Sequence, residues 1–257
     1  MIGREALVVV IALASAVQID PRVEALIDAV RSTLPYPASD VAGELPSDGS
    51  AQSKWFVVWP TSSEEKRIHV KANPLHPETQ AAGAAAMARI QDAVVEAERK
   101  AQAAYDRALE ELRRTGKSTS LDGVTLEDEG VAGQRIDAEL ELTIELVDAA
   151  SFEMNSAESP ETTAGTNGVT WRITTQANTY RENAGSAARD RFQPAETRLI
   201  FGSIPRPVIR RIGNSHRFEV AIASGASGFA VVLRGNEELL DRVATQADWS
   251  RLARLGH

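Results

Sequence analysis

The sequence predicts an α+β fold in which most strands form an antiparallel sheet. Residues 77–114 carry one long helical pattern, and short stretches on either side of it alternate apolar and polar residues as strands do. A second helical pattern closes the chain after Asn236. The chain has 257 residues and is 43% hydrophobic, which is enough apolar side chain for a sizeable core.

The first sixteen residues resemble a secretory signal peptide. Arg4 precedes an apolar run, and Ala14, Ser15 and Ala16 form the small-residue end of that run. The run is shorter than the roughly 20 apolar residues that span a bilayer. We therefore expect residues 1–16 to be a signal peptide and the protein to be periplasmic or secreted. An uncleaved amino-terminal membrane anchor and a buried element of a cytosolic protein are the alternatives.

A short amphipathic helix is predicted in residues 17–34. Asp20 and Pro21 are typical of a helix start, and apolar residues then recur at helical spacing. Residues 35–54 are rich in Ser, Asp, Gly and Pro, which indicates a flexible linker to an α+β main domain in residues 55–257. The helix must bury its apolar stripe on the main domain, on a second copy or on a partner. We expect the main domain to fold without residues 17–54.

The main domain begins with a predicted hairpin and then the long helix. Residues 55–59 are a short aromatic and β-branched run, and residues 67–71 alternate behind it, which predicts two strands. Pro77 is typical of the start of the helix, and Gly116 of its end. The apolar stripe of this helix follows steps of three and four residues and is rich in alanine, so a neighbouring helix or chain can approach it closely.

The rest of the chain reads as strands. Residues 136–146 alternate strictly, which predicts one long strand, and residues 149–166 are expected to be a mobile connection. Residues 169–175 form a further predicted strand after Asn167 and Gly168. The carboxy-terminal third is predicted to be a meander that ends in a helix capped by Asn236, with strands at residues 197–201, 208–212, 217–223 and 229–234.

The sequence contains no complete catalytic, cofactor or metal motif. Residues 115–118 resemble the end of a phosphate-binding loop, but Glu111 stands where that loop needs a glycine. Residues 225–228 are better explained as a tight turn than as a nucleophile elbow. His69 and His76 lack a third ligand, and there is no cysteine. We expect no catalytic residue, no cofactor and no metal site.

The charge distribution argues against nucleic-acid binding. The formal net charge is −8, and the carboxy-terminal 77 residues hold 12 arginines against 8 acidic residues. That excess is far smaller than a nucleic-acid-binding domain normally carries. An acidic body and a slightly basic third are expected to attract each other within one fold.

These patterns favour an exported, non-catalytic envelope protein that serves as a structural or accessory subunit. Its partner is expected to be another protein or a second copy, with membrane contact limited to residues 1–34 if the signal is uncleaved. The predicted contact residues are the bulky members of the two helical stripes: Val23, Leu26, Ile27, Val30, Met87, Ile90 and Val94. The alternative is a periplasmic carrier of an apolar ligand in a groove between strands and helix, and an enzyme with a site of scattered residues is favoured less.

Overall fold

The computed structural model describes residues 20–41, 43–46, 52–62, 64–116, 129–184, 187–222 and 228–256. It confirms the α+β fold with a large, mostly antiparallel sheet, the long helix and a helical carboxy terminus. The helices are α1 (Pro21–Thr33), α2 (Pro77–Thr115), α3 (Glu129–Leu140), α4 (Glu237–Gln246) and α5 (Ser250–Leu255). The signal-like segment lies outside the described residues.

Eight strands form the main sheet, in the spatial order β1-β2-β3-β4-β13-β10-β7-β6. These strands are β1 (Ala38–Ser39), β2 (Trp55–Val58), β3 (Arg67–Ala72), β4 (Glu141–Asp148), β6 (Glu161–Ala164), β7 (Trp171–Thr175), β10 (Ala195–Phe201) and β13 (Phe229–Gly235). Neighbouring strands are antiparallel except β1 and β2, which are parallel. The predicted hairpin of residues 55–59 and 67–71 is confirmed as β2 and β3.

Two smaller sheets complete the strand set. One contains β11 (Val208–Arg211), β12 (Arg217–Ala221) and β5 (Phe152–Asn155), and the other is the hairpin of β8 (Asn178–Ala184) and β9 (Ala187–Gln193). The carboxy-terminal strands are therefore shared between two sheets and do not form one meander. Of the predicted turn at residues 224–228, residues 224–227 lie outside the described residues.

The inner face of the main sheet is covered by α1, α4 and α5. Leu142 and Ile144 of β4 and Leu233 of β13 are fully buried there against these helices. Trp249, between α4 and α5, is 1% exposed and packs at 6.0 Å from the ring of Phe201. This is the larger of the two apolar cores.

The three-stranded sheet covers the apolar half of the outer face. Met154 of β5 and Val220 of β12 pack with Ile173, Ile200 and Ala230 of the main sheet. Because residues alternate between the two faces of a strand, β13 and β10 supply apolar side chains to both cores. The two sheets thus enclose a second, smaller core.

At Gly235, the last residue of β13 before α4, the backbone passes close to the backbone of Glu141. The φ of Gly235 is 127°, and a Cβ at this position would lie 2.1 Å from the carbonyl oxygen of Glu141. Asn236 then caps α4 by accepting a hydrogen bond from the N–H of Leu239 at 3.0 Å. Its side-chain amide also donates to the carbonyl of Glu139 at 2.7 Å, which ties the end of α3 to the start of α4.

The prediction of one strand over residues 136–146 is wrong in its first half. Residues up to Leu140 belong to α3, and the strand β4 begins at Glu141. Ile136 and Leu140 are four residues apart, so they fit a helical stripe as well as an alternating strand. Packing against α2 decides the helical form for this segment.

Three further differences concern segments between strong patterns. Residues 149–166 were expected to be mobile, but they form β5 and β6, each paired with a neighbouring strand. The β8–β9 hairpin was not predicted, because its residues do not alternate clearly. Val169 lies in the turn before β7, where Asn167 and Gly168 both have positive φ.

The amino-terminal helix α1 buries its stripe on the main domain. Val23, Leu26 and Val30 are 0% exposed and belong to the inner core, and β1 in the predicted linker pairs with β2. This is one of the three locations that the sequence left open. The expectation that the main domain folds without residues 17–54 does not fit this packing, because their removal would open the inner core to water.

We predict that Leu26→Ala lowers the free energy of unfolding by about 2–5 kcal/mol, because it leaves a cavity in the inner core. Val95→Ala is the control, since Val95 is 63% exposed on α2. That change is expected to alter stability by less than about 0.5 kcal/mol. Urea denaturation followed by circular dichroism measures both, and equal small effects would contradict the placement of α1 in the core.

Candidate partner-binding surface

The long helix α2 has defined ends. The Nδ1 atom of His76 accepts a hydrogen bond from the N–H of Glu78 at 3.3 Å, and Pro77 occupies the first turn. At the other end Gly116 adopts φ 69° and donates its N–H to the carbonyl of Leu112 at 2.8 Å. The helix has 39 residues, which gives a length of about 58 Å. The predicted helix and its terminal glycine are confirmed.

One side of the first half of α2 packs against α3. Ile90 and Ala93 of α2 face Ala132 and Ile136 of α3 across a gap of about 90 Å³. Arg89 lies 3.9 Å from the carboxylate of Glu139 at the edge of this contact.

Beside this contact, the apolar stripe of α2 is exposed to solvent. Met87 is 55% exposed, Tyr105 is 51% exposed and Leu112 is 42% exposed. At about 100° per residue, these side chains and those of Val94 and Ala101 fall within about 40° of one another around the helix. We call these five residues the α2 face.

The side of α2 opposite the α2 face is charged. Arg99 and Lys100 pair with Glu96 at 2.7 and 3.7 Å, at the spacing that stabilises exposed helices. The hydrogen bond from the Arg99 guanidinium lowers the pKa of Glu96 to about 2. Ala103, on this same side, is exposed. Solvent rather than protein is the natural neighbour of this side.

The predicted contact residues lie in two separate places. Val23, Leu26 and Val30 are buried in the inner core, and Ile27 is partly buried against it. Met87 and Val94 belong to the α2 face, while Ile90 packs partly against α3. The structure gives the α1 residues a role in the core, so only the α2 residues remain available for a partner.

The two histidines considered as ligands have separate structural partners. The Nδ1 atom of His69 lies 2.6 Å from Glu141 Oε1, and His76 caps α2. Within the described ranges, no three His, Asp or Glu side chains gather as a metal site requires. The segment that resembles the end of a phosphate-binding loop lies at the end of α2. Thr115 is the last residue of the helix and Gly116 caps it, and Lys117 and Ser118 lie outside the described residues.

A row of polar side chains crosses the outer face of the main sheet, and the sequence analysis missed it. Residues directly opposite each other on neighbouring strands share a face. The row runs across β3, β4, β13, β10 and β7 and consists of His69, Thr143, Arg234, Glu196 and Thr175. Its signal in the sequence is the presence of charged residues within otherwise apolar strands.

Glu196 is the buried centre of this row. Its side chain is 3% exposed, and its two oxygens lie 2.6 Å from Arg198 and 2.6 Å from Arg234. The guanidinium of Arg198 also lies over the ring of Phe152 at 3.6 Å. Because both carboxylate oxygens are engaged, Glu196 forms a structural ion pair and is not an accessible acid or base.

Two clefts of about 450 and 490 Å³ open beside the polar row, under α3 and the β8–β9 hairpin. Arg135 of α3 donates to the hydroxyl of Thr179 at 3.2 Å and so ties these elements together. Glu139 and Glu238 are among the charged residues that line the first cleft, and Asp137, Glu141 and Arg191 line the second. Charged side chains at these positions oppose the burial of a fully apolar ligand in either cleft.

We predict that Glu141→Gln reduces stability by about 1 kcal/mol at pH 6, through loss of a partly exposed charge-assisted hydrogen bond. The hydrogen bond from His69 lowers the pKa of Glu141 below its usual value of 4.5. This stabilisation is therefore fully present above about pH 4.5 and is lost as the pH falls through the lowered pKa. Urea titrations at pH 6 and pH 3 should show the difference between variant and wild type shrinking with acidity. An unchanged difference would contradict this role.

Comparison with known proteins gives no relative. No family model, curated protein or solved structure matches the chain significantly. Among the helices of the described residues, none combines the length and the apolar character needed to cross a membrane. The α2 face and its surroundings are therefore the features from which a function is inferred.

Proposed function

We propose that this chain is an exported, non-catalytic protein of the cell envelope that binds a protein partner through the α2 face. The observation that supports the proposal is the exposure of Met87, Tyr105 and Leu112 along one side of a long helix. Apolar side chains aligned over several turns are typical of helix-mediated recognition. The extracytoplasmic location rests on the signal-like residues 1–16 alone.

The proposed occupant of the α2 face is a helix of the partner. The helix α3 already packs on one side of the apolar stripe of α2, and the α2 face lies directly beside that contact. Ala101 lies midway along it, where a small side chain lets a second backbone approach closely. A partner helix at this position would complete a three-helix arrangement with α2 and α3.

The apolar-carrier alternative has less support. A carrier needs a chamber lined mainly by apolar side chains. The clefts of about 450 and 490 Å³ each have four charged side chains in their lining, and the gap between α2 and α3 has a volume of only about 90 Å³.

A matched pair of alanines tests the proposal. Ala101 belongs to the α2 face, and Ala103 lies on the opposite, charged side. Ala101→Glu and Ala103→Glu add the same negative charge and change the helix propensity by the same amount. We predict that Ala101→Glu weakens the complex at least about tenfold, because a carboxylate would be buried unpaired against the partner helix. Ala103→Glu is expected to leave the affinity unchanged.

The partner is first identified by photo-cross-linking in the cells that produce the protein. A photoreactive phenylalanine analogue replaces Tyr105 in one strain and Ala103 in another. The proposal expects a discrete adduct from position 105 and none from position 103, and the identified partner is then purified for the affinity measurements. Equal adducts from both positions, or no adduct, would contradict the α2 face. An adduct of twice the chain's mass would show that the partner is a second copy of this chain.

A further inference from the structure

One charged residue of α2 lies close to the α2 face. At about 100° per residue, Glu98 falls within about 40° of the centre of that face, on the side away from α3. Every other charged residue of α2 lies more than about 90° from the same centre. Glu98 is exposed, and Val94 and Ala101 lie about one helical turn before and after it. A helix that packs on the α2 face would therefore contact this carboxylate.

The sequence of α2 gives Glu98 no cation on its own helix. An acidic side chain on a helix surface pairs with residues three or four positions away. Those positions are uncharged around Glu98: Val94, Val95, Ala101 and Gln102. Glu96, by contrast, has Arg99 and Lys100 at these spacings and pairs with both. Within the described chain, Glu98 forms no ion pair.

A helix on the α2 face would remove water from the carboxylate of Glu98. A carboxylate that loses its water without gaining a counter-charge opposes binding strongly. The neighbouring residues of α2 cannot supply that charge, and α3 packs on the other side of the apolar stripe. The counter-charge must therefore come from the helix that binds.

We propose that the partner helix on the α2 face carries a lysine or arginine that pairs with Glu98. This inference rests on the proposed function and specifies the chemistry of the partner. The ion pair lies at the edge of the interface that is remote from α3, next to the apolar contacts of Val94, Ala101 and Tyr105. A polar pair beside an apolar stripe fixes the register of two helices and excludes partners with the wrong charge. One cation pairs with one carboxylate, so Ala101→Glu is still expected to weaken the complex.

The test compares charge changes at position 98 with the same changes at position 110. Glu110 is exposed on the side of α2 opposite the α2 face, so Glu110→Gln and Glu110→Lys are matched controls. Isothermal titration measures the affinity of each full-length variant for the purified partner that cross-links to position 105. We expect Glu98→Gln to weaken binding about tenfold and Glu98→Lys at least about 100-fold, because the lysine places two cations together. Both controls should bind as the wild type does.

A charge exchange then locates the pair. Mass spectrometry of the adduct from position 105 gives the attachment site in the partner, and each lysine or arginine within about two helical turns of that site is changed to glutamate. One of these partner variants should bind Glu98→Lys at least about tenfold more tightly than the unchanged partner does.

The outcomes separate this inference from the proposed function. If the adduct from position 105 forms but both Glu98 variants bind as the wild type does, or no partner variant rescues Glu98→Lys, the ion pair is overturned and the α2 face stands. If position 105 gives no adduct, both are overturned.

Discussion

The structure depends on covering both faces of the main sheet. Its central strand β13 lies between β4 and β10 and sends apolar side chains to either side. An apolar face left in water would forfeit most of the free energy that holds such a sheet. The inner face is therefore covered by α1, α4 and α5, and the apolar half of the outer face by the three-stranded sheet.

The polar half of the outer face needs a different solution. Charged groups in a sheet are tolerated near a core when they are paired and hydrogen-bonded. Glu196 meets this condition with Arg198 and Arg234, and Glu141 meets it with His69. The pairs keep this half of the sheet polar, and α3 and the β8–β9 hairpin leave clefts above it. Paired polar side chains are thereby concentrated on the outer face of the main sheet.

The sequence predicted elements well where the local pattern was unambiguous. The ends of α2 followed from Pro77 and Gly116, β3 followed from its alternation, and β2, β10 and β13 followed from short apolar runs bounded by turn residues. The prediction for the segment around Ile136 failed because its apolar residues fit two periods, and the contacts of α3 with α2, β9 and β13 are distant in the chain. The location of α1 and the pairing of Glu196 could not be predicted, because they depend on residues that are distant in the chain. Of the candidate surface, the apolar stripe of α2 was foreseen, but its division between α3 and solvent was not.

The α2 face is expected to be free in the isolated protein and covered in the complex. Hydrogen–deuterium exchange, on the protein alone and with the partner cross-linked through position 105, measures this difference. We predict that the amides of residues 101–115 exchange much faster than those of β13 in the isolated protein, because little packing stabilises that half of α2. They should slow in the complex while β13 is unchanged. Protection equal to that of β13 without a partner, or no slowing in the complex, would contradict the account.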